Sequence, residues 1–177
     1  MSEQFKSIKP YDIRDNLFDT IDNEWMLITA GTPESFNTMT ASWGTTGILW
    51  NKPIAICFVR PQRYTFQFIE KADLYTLTFF DRQHKHILQH CGTTSGRDTD
   101  KIKDTGLEPV VSANGGIYYK QARLVLECRI LYKDRIEENN FVVKEVIGRN
   151  YPSKDFHTFY IGEIVECLLK QAVTSDG

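Results

Sequence analysis

Several motifs that identify nucleotide-binding proteins and hydrolases are missing from this sequence of 177 residues. It has no GxGxxG element and no GxxxxGK[ST] loop, which argues against a doubly wound dinucleotide-binding fold and against a P-loop. It also has no GxSxG elbow, and no pair of carboxylates stands out as an acid–base couple. The sequence therefore offers no obvious catalytic side chain.

Cysteine is scarce, and no two cysteines are close together in the sequence. Cys57, Cys91, Cys128 and Cys167 form no CxxC motif, which disfavours a zinc ribbon or a redox dithiol. Cys57, Cys128 and Cys167 lie in apolar runs and are typical of small buried side chains. This usage predicts a reducing, cytoplasmic compartment.

Basic charge and long apolar runs are also lacking. The net charge is −2, from 21 basic and 23 acidic residues, so there is no basic excess for nucleic-acid binding. No apolar run approaches the ~18 residues of a membrane span, and the opening MSEQFKSIKP lacks the apolar core of a signal peptide. His86 and His90 are spaced to share a helix face, but no third ligand accompanies them, so no metal site is predicted. We expect neither a nucleic-acid partner nor a membrane partner.

What the sequence does contain is a series of strand patterns. Aromatic residues make up 12% of the chain, which favours a β-rich interior or a site that stacks flat rings. Strands are predicted at 25–31, 35–42, 53–59, 74–80, 122–136 and 157–170. Short helices are predicted at 65–73, 81–92 and 95–106, with a turn at 114–116. Because the strands do not alternate with long helices, the predicted class is mainly β, an antiparallel barrel or sheet with short helical insertions.

The length of the chain suggests a single domain, 1–177. Its core is expected at about 25–170. Residues 1–24 are interpreted as an N-terminal arm with a brief helix, and 171–177 as a frayed tail.

The segment RPQRYT, residues 60–65, follows the apolar strand pattern 53–59 and leads into a predicted helix. It combines two guanidiniums, a hydroxyl and a helix N-terminus, which together favour a phosphate group. A solvated loop whose arginines pair with surface acids remains the alternative at this point.

The segment NTMTASWG, residues 37–44, has hydroxyls on one face if it is a strand, because alternate side chains share a face. If strand 36–42 lies beside strand 53–59, this stripe of Thr38, Thr40 and Ser42 ends near the phosphate site and can line a polar ligand. Threonine favours strands in general, so a water-facing stripe is the alternative.

The segment TTSGRD, residues 93–98, is interpreted as the start of the third helix. Ser95, Gly96 and Arg97 would then form a second anion site or a clamp on the same ligand, and an ordinary helix cap with an exposed arginine is the alternative. A candidate phosphate site and a strand suited to a flat ring, with no obvious catalytic side chain, are consistent with a bound cofactor that carries out the chemistry.

Three segments together resemble the flavin-reductase-like family, and specifically its flavoredoxin-like branch. They are residues 37–81, which run from NTMTASWG to LTFFD, the segment GTTSGRDTDKIKDTGL (92–107), and FHTFYIGEIVEC (156–167). The resemblance extends over about 25–170. It implies an FMN-binding split barrel, a Greek-key antiparallel β-barrel that works as a homodimer with FMN near the subunit interface.

The resemblance also implies a set of cofactor-binding residues. The flavin-contacting strand of the family corresponds to Asn37, Met39, Thr40, Ala41, Ser42 and Trp43. Its phosphate-binding loop corresponds to Arg60, Gln62, Arg63, Tyr64 and Thr65. A loop that closes over the cofactor corresponds to Ser95, Gly96 and Arg97, and His157 corresponds to a histidine on the nicotinamide or substrate side. Trp43 departs from the family, whose members carry smaller side chains there, and favours a tightly held FMN.

The function implied is that of a flavoprotein oxidoreductase, a flavin reductase that takes hydride from NADH or NADPH through FMN. The acceptor would be a free flavin, a metal complex or a redox protein, and no side chain need act as an acid or base. One alternative is a flavoredoxin-type FMN electron carrier without its own NAD(P)H reaction. Another is a split-barrel protein that binds haem or a different ligand.

Overall fold

Short helices and antiparallel strands make up residues 5–171, the part of the chain that the computed structural model describes. The strands are β1 (Phe5–Ser7), β2 (Met26–Thr32), β3 (Ser35–Ala41), β4 (Gly44–Leu49), β5 (Lys52–Val59), β6 (Leu74–Phe79), β7 (Pro109–Val111), β8 (Ile117–Tyr119), β9 (Leu124–Arg135) and β10 (Thr158–Lys170). The α-helices are α1 (Leu17–Asp19), α2 (Phe66–Ile69), α3 (Lys85–Thr93), α4 (Lys101–Thr105) and α5 (Glu145–Asn150). Apart from residue 171, the predicted tail 171–177 lies outside the described residues.

The main sheet has eight strands, seven of them in the order β3-β2-β6-β9-β10-β5-β4, while β1 pairs with β10. All of its pairings are antiparallel. The connection from β5 to β6 passes over β10 and β9, which is a Greek-key connection. The predicted mainly β, antiparallel class is therefore confirmed.

The predicted neighbourhood of strands 36–42 and 53–59 is wrong. β3 pairs along its whole length with β2, from Met26 opposite Ala41 to Thr32 opposite Ser35. The place beside β5 is taken by β4, a strand that the sequence patterns did not reveal. The threonines and glycines of β4 form no clear apolar alternation, because most of this strand is exposed or only half-buried.

Two clusters of buried side chains hold the fold together. One lies inside the sheet and includes Ile28, Tyr75 and Tyr160. The other lies between the sheet and α3, where Leu27 and Leu88 are almost fully buried. Successive residues of β2 contribute to different clusters because side chains alternate across a strand. All four cysteines are buried and free, which confirms the buried positions predicted for three of them.

The helix predicted at 95–106 begins six residues late. Residues 95–99 form a turn in which Asp98 and Thr99 donate backbone N–H groups to the Ser95 carbonyl. α4 begins at Lys101 because the Asp100 side chain accepts hydrogen bonds from the N–H groups of Ile102 (3.1 Å) and Lys103 (3.2 Å). The helix predicted at 81–92 likewise starts with a 3₁₀ turn, and α3 itself begins at Lys85.

The N-terminal arm belongs to the sheet. Phe5 of β1 lies opposite Lys170 of β10, so the two ends of the described chain pair with each other. Arg123 fastens the following segment through ion pairs with Asp15 and Glu24. No helix within residues 5–171 combines the length and apolar character needed to cross a membrane.

Candidate functional site

A cavity of about 300 Å³ lies where β3 ends and β4 begins. Gly44 at the start of β4 is opposite Cys57 of β5, so the junction lies next to the end of β5 and the loop that follows it. The residues that line the cavity are Met39, Thr40, Ala41, Ser42, Trp43, Phe58, Arg60, Arg63, Gly92 and His157. The structure thus brings eight of the predicted site residues together around one space.

Arg63 is the cation of this cavity that lacks an acidic partner. Its Nη1 donates to the Gly92 carbonyl at 2.9 Å, and its buried Nε has no hydrogen-bond partner among the described residues. Arg63 forms no ion pair within residues 5–171. Burial and the nearby charge of Arg60 lower the pKa of the Arg63 guanidinium from its usual value. A partly buried guanidinium without a carboxylate partner is costly unless an anion is supplied.

Arg60 is already neutralised by the protein. Its Nη1 forms an ion pair with Asp155, and its Nη2 donates to the Asn150 carbonyl at 2.9 Å. Gln62 donates to the same carboxylate at 2.6 Å, and hydrogen bonds from both side chains lower the pKa of Asp155. The alternative of a solvated loop whose side chains pair with acids therefore describes Arg60 and Gln62. Arg63 has no such partner among the described residues.

The helix after this loop provides fewer free amides than the sequence predicted. The N–H groups of Phe66, Gln67 and Phe68 all donate to carbonyls of the preceding turn, at 3.0–3.2 Å. The Thr65 hydroxyl accepts a hydrogen bond from Asn37 Nδ2 at 2.8 Å and does not cap the helix. Any anion in this cavity would accordingly be bound by guanidinium groups rather than by the start of α2.

His157 closes one side of the cavity. Its ring lies 5.1 Å from that of Trp43, and its Nδ1 is 2.9 Å from the Tyr151 hydroxyl. Burial and the positive charge of Arg60 lower its pKa to about 4, a shift that Asp155 partly offsets. His157 is therefore a neutral imidazole at physiological pH.

The hydroxyl stripe is mostly occupied by protein groups. Thr38 is buried and donates to the Ile28 carbonyl at 3.3 Å, while Thr40 donates to the Leu88 carbonyl of α3. The Thr38 hydroxyl also accepts a hydrogen bond from Thr29 at 3.0 Å, so protein groups already use it, although Thr38 belongs to the lining of a second cavity described below. Ser42 lies beyond the end of β3 and lines the cavity.

A second cavity, of about 690 Å³, lies against the first half of β3. Its lining includes Asn37, Tyr64, Gly96 and Arg97 of the predicted set. The Arg97 guanidinium stacks 4.8 Å above the Tyr64 ring and donates to the Gln62 carbonyl at 3.3 Å. Most of the predicted residues thus divide between two cavities that meet at the loop 60–65, and three of them line neither: Gln62, Thr65 and Ser95. The Ser95 hydroxyl accepts a hydrogen bond from the Arg97 backbone N–H at 3.2 Å.

Lys101, Tyr151 and Asp155 are residues of this region that sequence reasoning missed. The Lys101 ammonium is buried and donates to the carbonyls of Thr38 (2.8 Å) and Cys91 (2.9 Å). In the connection between α5 and β10, Tyr151 is hydrogen-bonded to His157 and Asp155 forms an ion pair with Arg60. No sequence pattern marks Lys101 or Asp155, because their partners Thr38 and Arg60 are 63 and 95 residues away along the chain. Tyr151 is only six residues from His157 but belongs to no motif that would reveal the contact.

An antiparallel split barrel with an arginine-lined cavity at a strand end has the architecture of flavin reductase-like proteins. The chain belongs to the family described as "Flavin reductase like domain", which matches residues 18–176. This confirms the family to which the sequence was assigned. No curated protein matches the sequence.

Solved structures with the same fold include a flavoredoxin from Methanosarcina acetivorans, with 21% identity and a TM-score of 0.64 over 84% of this chain and 69% of that one. An FMN-binding protein from Thermus thermophilus with bound p-hydroxybenzaldehyde has 18% identity and a TM-score of 0.67, over 96% and 85% of the two chains. Nitrilotriacetate monooxygenase component B from Bacillus cereus has 14% identity and a TM-score of 0.67, over 97% and 85%.

Proposed function

We propose that this protein binds FMN in the cavity between the end of β3 and the loop 60–65, and that it is an FMN-dependent oxidoreductase. The electron donor in this proposal is NADH or NADPH. The acceptor is a free flavin, a metal complex or a redox protein. The observation that carries the proposal is Arg63, a partly buried guanidinium at the cavity wall with no carboxylate partner among the described residues.

The residues present fit the chemistry of FMN. A phosphomonoester carries about −1.5 to −2 charges near neutral pH, which Arg63 would offset without competition from a protein acid. Met39, Trp43 and Phe58 supply apolar surface for a flat ring. The Ser42 hydroxyl and the His157 ring supply polar groups to the same space.

Bound FMN would supply the hydride or electron transfer itself. The role of the chain would be to hold the phosphate at Arg63, to present the ring between β3 and His157, and to limit access of water through Trp43. Among residues 5–171, no acidic side chain lines the cavity, which agrees with a site in which no carboxylate exchanges protons.

A second candidate is a flavoredoxin-type electron carrier that does not itself react with NAD(P)H. The position of Trp43 favours it: this indole ring is 43% exposed and lies between the cavity and an adjacent apolar groove. A ring there leaves less room for a nicotinamide to stack beside the flavin. Steady-state oxidation of NADH and NADPH by the FMN-loaded protein separates the two, because rapid turnover is incompatible with a pure carrier.

The phosphate site is tested by Arg63→Ala, titrated with FMN and with riboflavin, which lacks the phosphate. We expect FMN to bind roughly 10- to 100-fold more weakly, because a charge-assisted hydrogen bond contributes about 1.5–3 kcal/mol. Riboflavin affinity should not change. Fluorescence quenching of the flavin measures both.

The matched control is Arg129→Ala, which removes a guanidinium of β9 that pairs with Glu163 on the surface. It should leave both affinities unchanged. Equal weakening of FMN and riboflavin by Arg63→Ala would place the phosphate elsewhere, and wild-type protein that takes up no FMN would refute the proposed function.

A further inference from the structure

Tyr151 is the only protein group within hydrogen-bonding distance of the His157 ring in the described chain, and nothing in the sequence pointed to it. Its hydroxyl lies 2.9 Å from Nδ1, and both residues are buried. The Tyr151 ring packs against Phe156 at 4.8 Å and lies under the Arg60 guanidinium at 5.3 Å. These contacts hold the hydroxyl at one position relative to the imidazole.

The direction of this hydrogen bond follows from the partners that are present. A hydroxyl that accepted a hydrogen bond from Nδ1–H would need a second acceptor for its own O–H, and within residues 5–171 it makes no other hydrogen bond. A hydroxyl that donates to Nδ1 instead leaves the unpaired donor at Nε2 of the ring, which lies on the cavity side, where a ligand or solvent can accept its hydrogen bond. Burial raises the pKa of Tyr151, so the O–H proton is retained at neutral pH. The neutral His157 ring then carries its proton on Nε2.

Nε2 has open space in front of it. It has no hydrogen-bond partner within the described chain, and it is not fully buried. His157 lines the cavity that contains Arg60 and Arg63, so that cavity is the space in question. The charged groups that influence the ring are Arg60 at the end of β5 and Asp155 in the connection before β10, and these two are already paired with each other.

We propose that Tyr151 is a positioning residue that locks His157 in the Nε2–H tautomer, so that a neutral N–H donor faces the cavity and binds an uncharged carbonyl oxygen of the ligand. The assignment of the tautomer stands on the protein alone. The role toward a carbonyl rests on the proposed function, in which the ligand is a flavin or a nicotinamide donor beside it.

The tautomer is tested by long-range ¹H–¹⁵N correlation spectra of the imidazole nitrogens in uniformly labelled protein, with His157→Gln to assign the signals. In wild-type protein we expect Nδ1 to appear as an unprotonated, acceptor-type nitrogen and Nε2 as a protonated one. In Tyr151→Phe the ring should lose this single state and show averaged nitrogen signals. Phenylalanine keeps the packing against Phe156, so the fold should be retained, which near-ultraviolet circular dichroism verifies. A protonated Nδ1 in wild type, or an unchanged spectrum in Tyr151→Phe, would overturn the proposal.

The functional consequence is measured on FMN-loaded protein with NADH or NADPH. Tyr151→Phe should lower the rate of flavin reduction roughly five- to tenfold, the value of one hydrogen bond, while FMN affinity stays the same. In a His157→Phe background the same change should have no further effect, and an equal effect there would contradict the positioning role. Tyr132→Phe, which removes an exposed hydroxyl bonded to Asp134, is the matched control and should not alter the rate. Protein that shows the tautomer change but binds no FMN would support this inference and refute the proposed function.

Discussion

Lys101 is a buried residue that lines the second cavity and also supports the wall of the first, which it does not line. Its ammonium joins the Thr38 carbonyl of β3 to the Cys91 carbonyl of α3. Desolvation lowers the pKa of this lysine to about 8. The charge is held by two carbonyl groups and forms no ion pair within the described residues, so it is stabilised less than it would be in water.

This lysine predicts an unusual pH dependence of stability. Its folded pKa of about 8 is below the unfolded value of 10.5, so the unfolded chain binds more protons between these values and the free energy of unfolding rises with pH. We expect the free energy of unfolding of the wild type, relative to that of Lys101→Met, to rise by about 1–2 kcal/mol from about pH 7 to about pH 9.5. Urea unfolding at several pH values measures it.

The matched control is Lys103→Met, at an exposed position of the same helix, because it removes a charge without altering a buried group. A wild-type advantage that stays constant or shrinks with rising pH would show that Lys101 is not charged and buried as described.

At the scale of elements, the turn 95–99 matters because it packs directly on β3. A Cβ atom on Gly96 would lie 2.2 Å from Asn37 Oδ1 and 3.1 Å from the Tyr64 ring. Asn37 is buried and donates to Thr65, so its amide has little freedom to move. A glycine is required here by a close approach between elements and not by backbone conformation.

Gly96→Ala should consequently destabilise the protein by about 1–3 kcal/mol, the usual cost of overpacking. Gly47→Ala is the matched control, since no atom lies within 4 Å of the added Cβ in β4, and it should be neutral or slightly stabilising. Thermal unfolding of the two variants measures the contrast. Equal stability would mean that the turn does not contact β3 in this way.

For the whole molecule, the sheet leaves apolar side chains uncovered near β4. Ile48 is 58% exposed and Trp50 is 54% exposed, and Phe18 of α1 is almost fully exposed. Trp50 also adopts a positive φ of 51° in the β4–β5 hairpin, a conformation that bulky residues rarely adopt. Clustered apolar exposure of this kind is typical of a protein interface.

We expect the protein to be a homodimer that covers this surface. Ile48→Asp should weaken self-association by placing a charge in the interface, while the monomer remains folded because Ile48 contributes little to the core. Sedimentation velocity over a range of concentrations measures the change. Gln83→Asp, at an exposed position of the 3₁₀ turn before α3, is the control, and a monomeric wild type would contradict the prediction.

Local patterns in the sequence were sufficient for the class of fold and for most of its strands. The continuous apolar run of β5 and the long apolar patterns of β9 and β10 predicted buried strands, because apolar side chains favour burial. The cluster of arginines after β5 and the polar strand 37–43 also marked part of the cavity lining, the family resemblance added His157, and Phe58 and Gly92 were not predicted. Burial and alternation are local properties, and they can be read from one segment at a time.

Tertiary structure alone decided which of these groups is free to bind a ligand. Arg60 and Arg63 are equivalent in the sequence, but only Arg60 finds a carboxylate, Asp155, from a connection almost a hundred residues away. The order of strands, with β3 and β5 apart and β4 at the edge beside β5, depends likewise on pairings between strands. Such pairings depend on contacts that no single segment contains, so they arise only in the folded chain. The same is true of the burial that lowers the pKa of His157 and of Lys101.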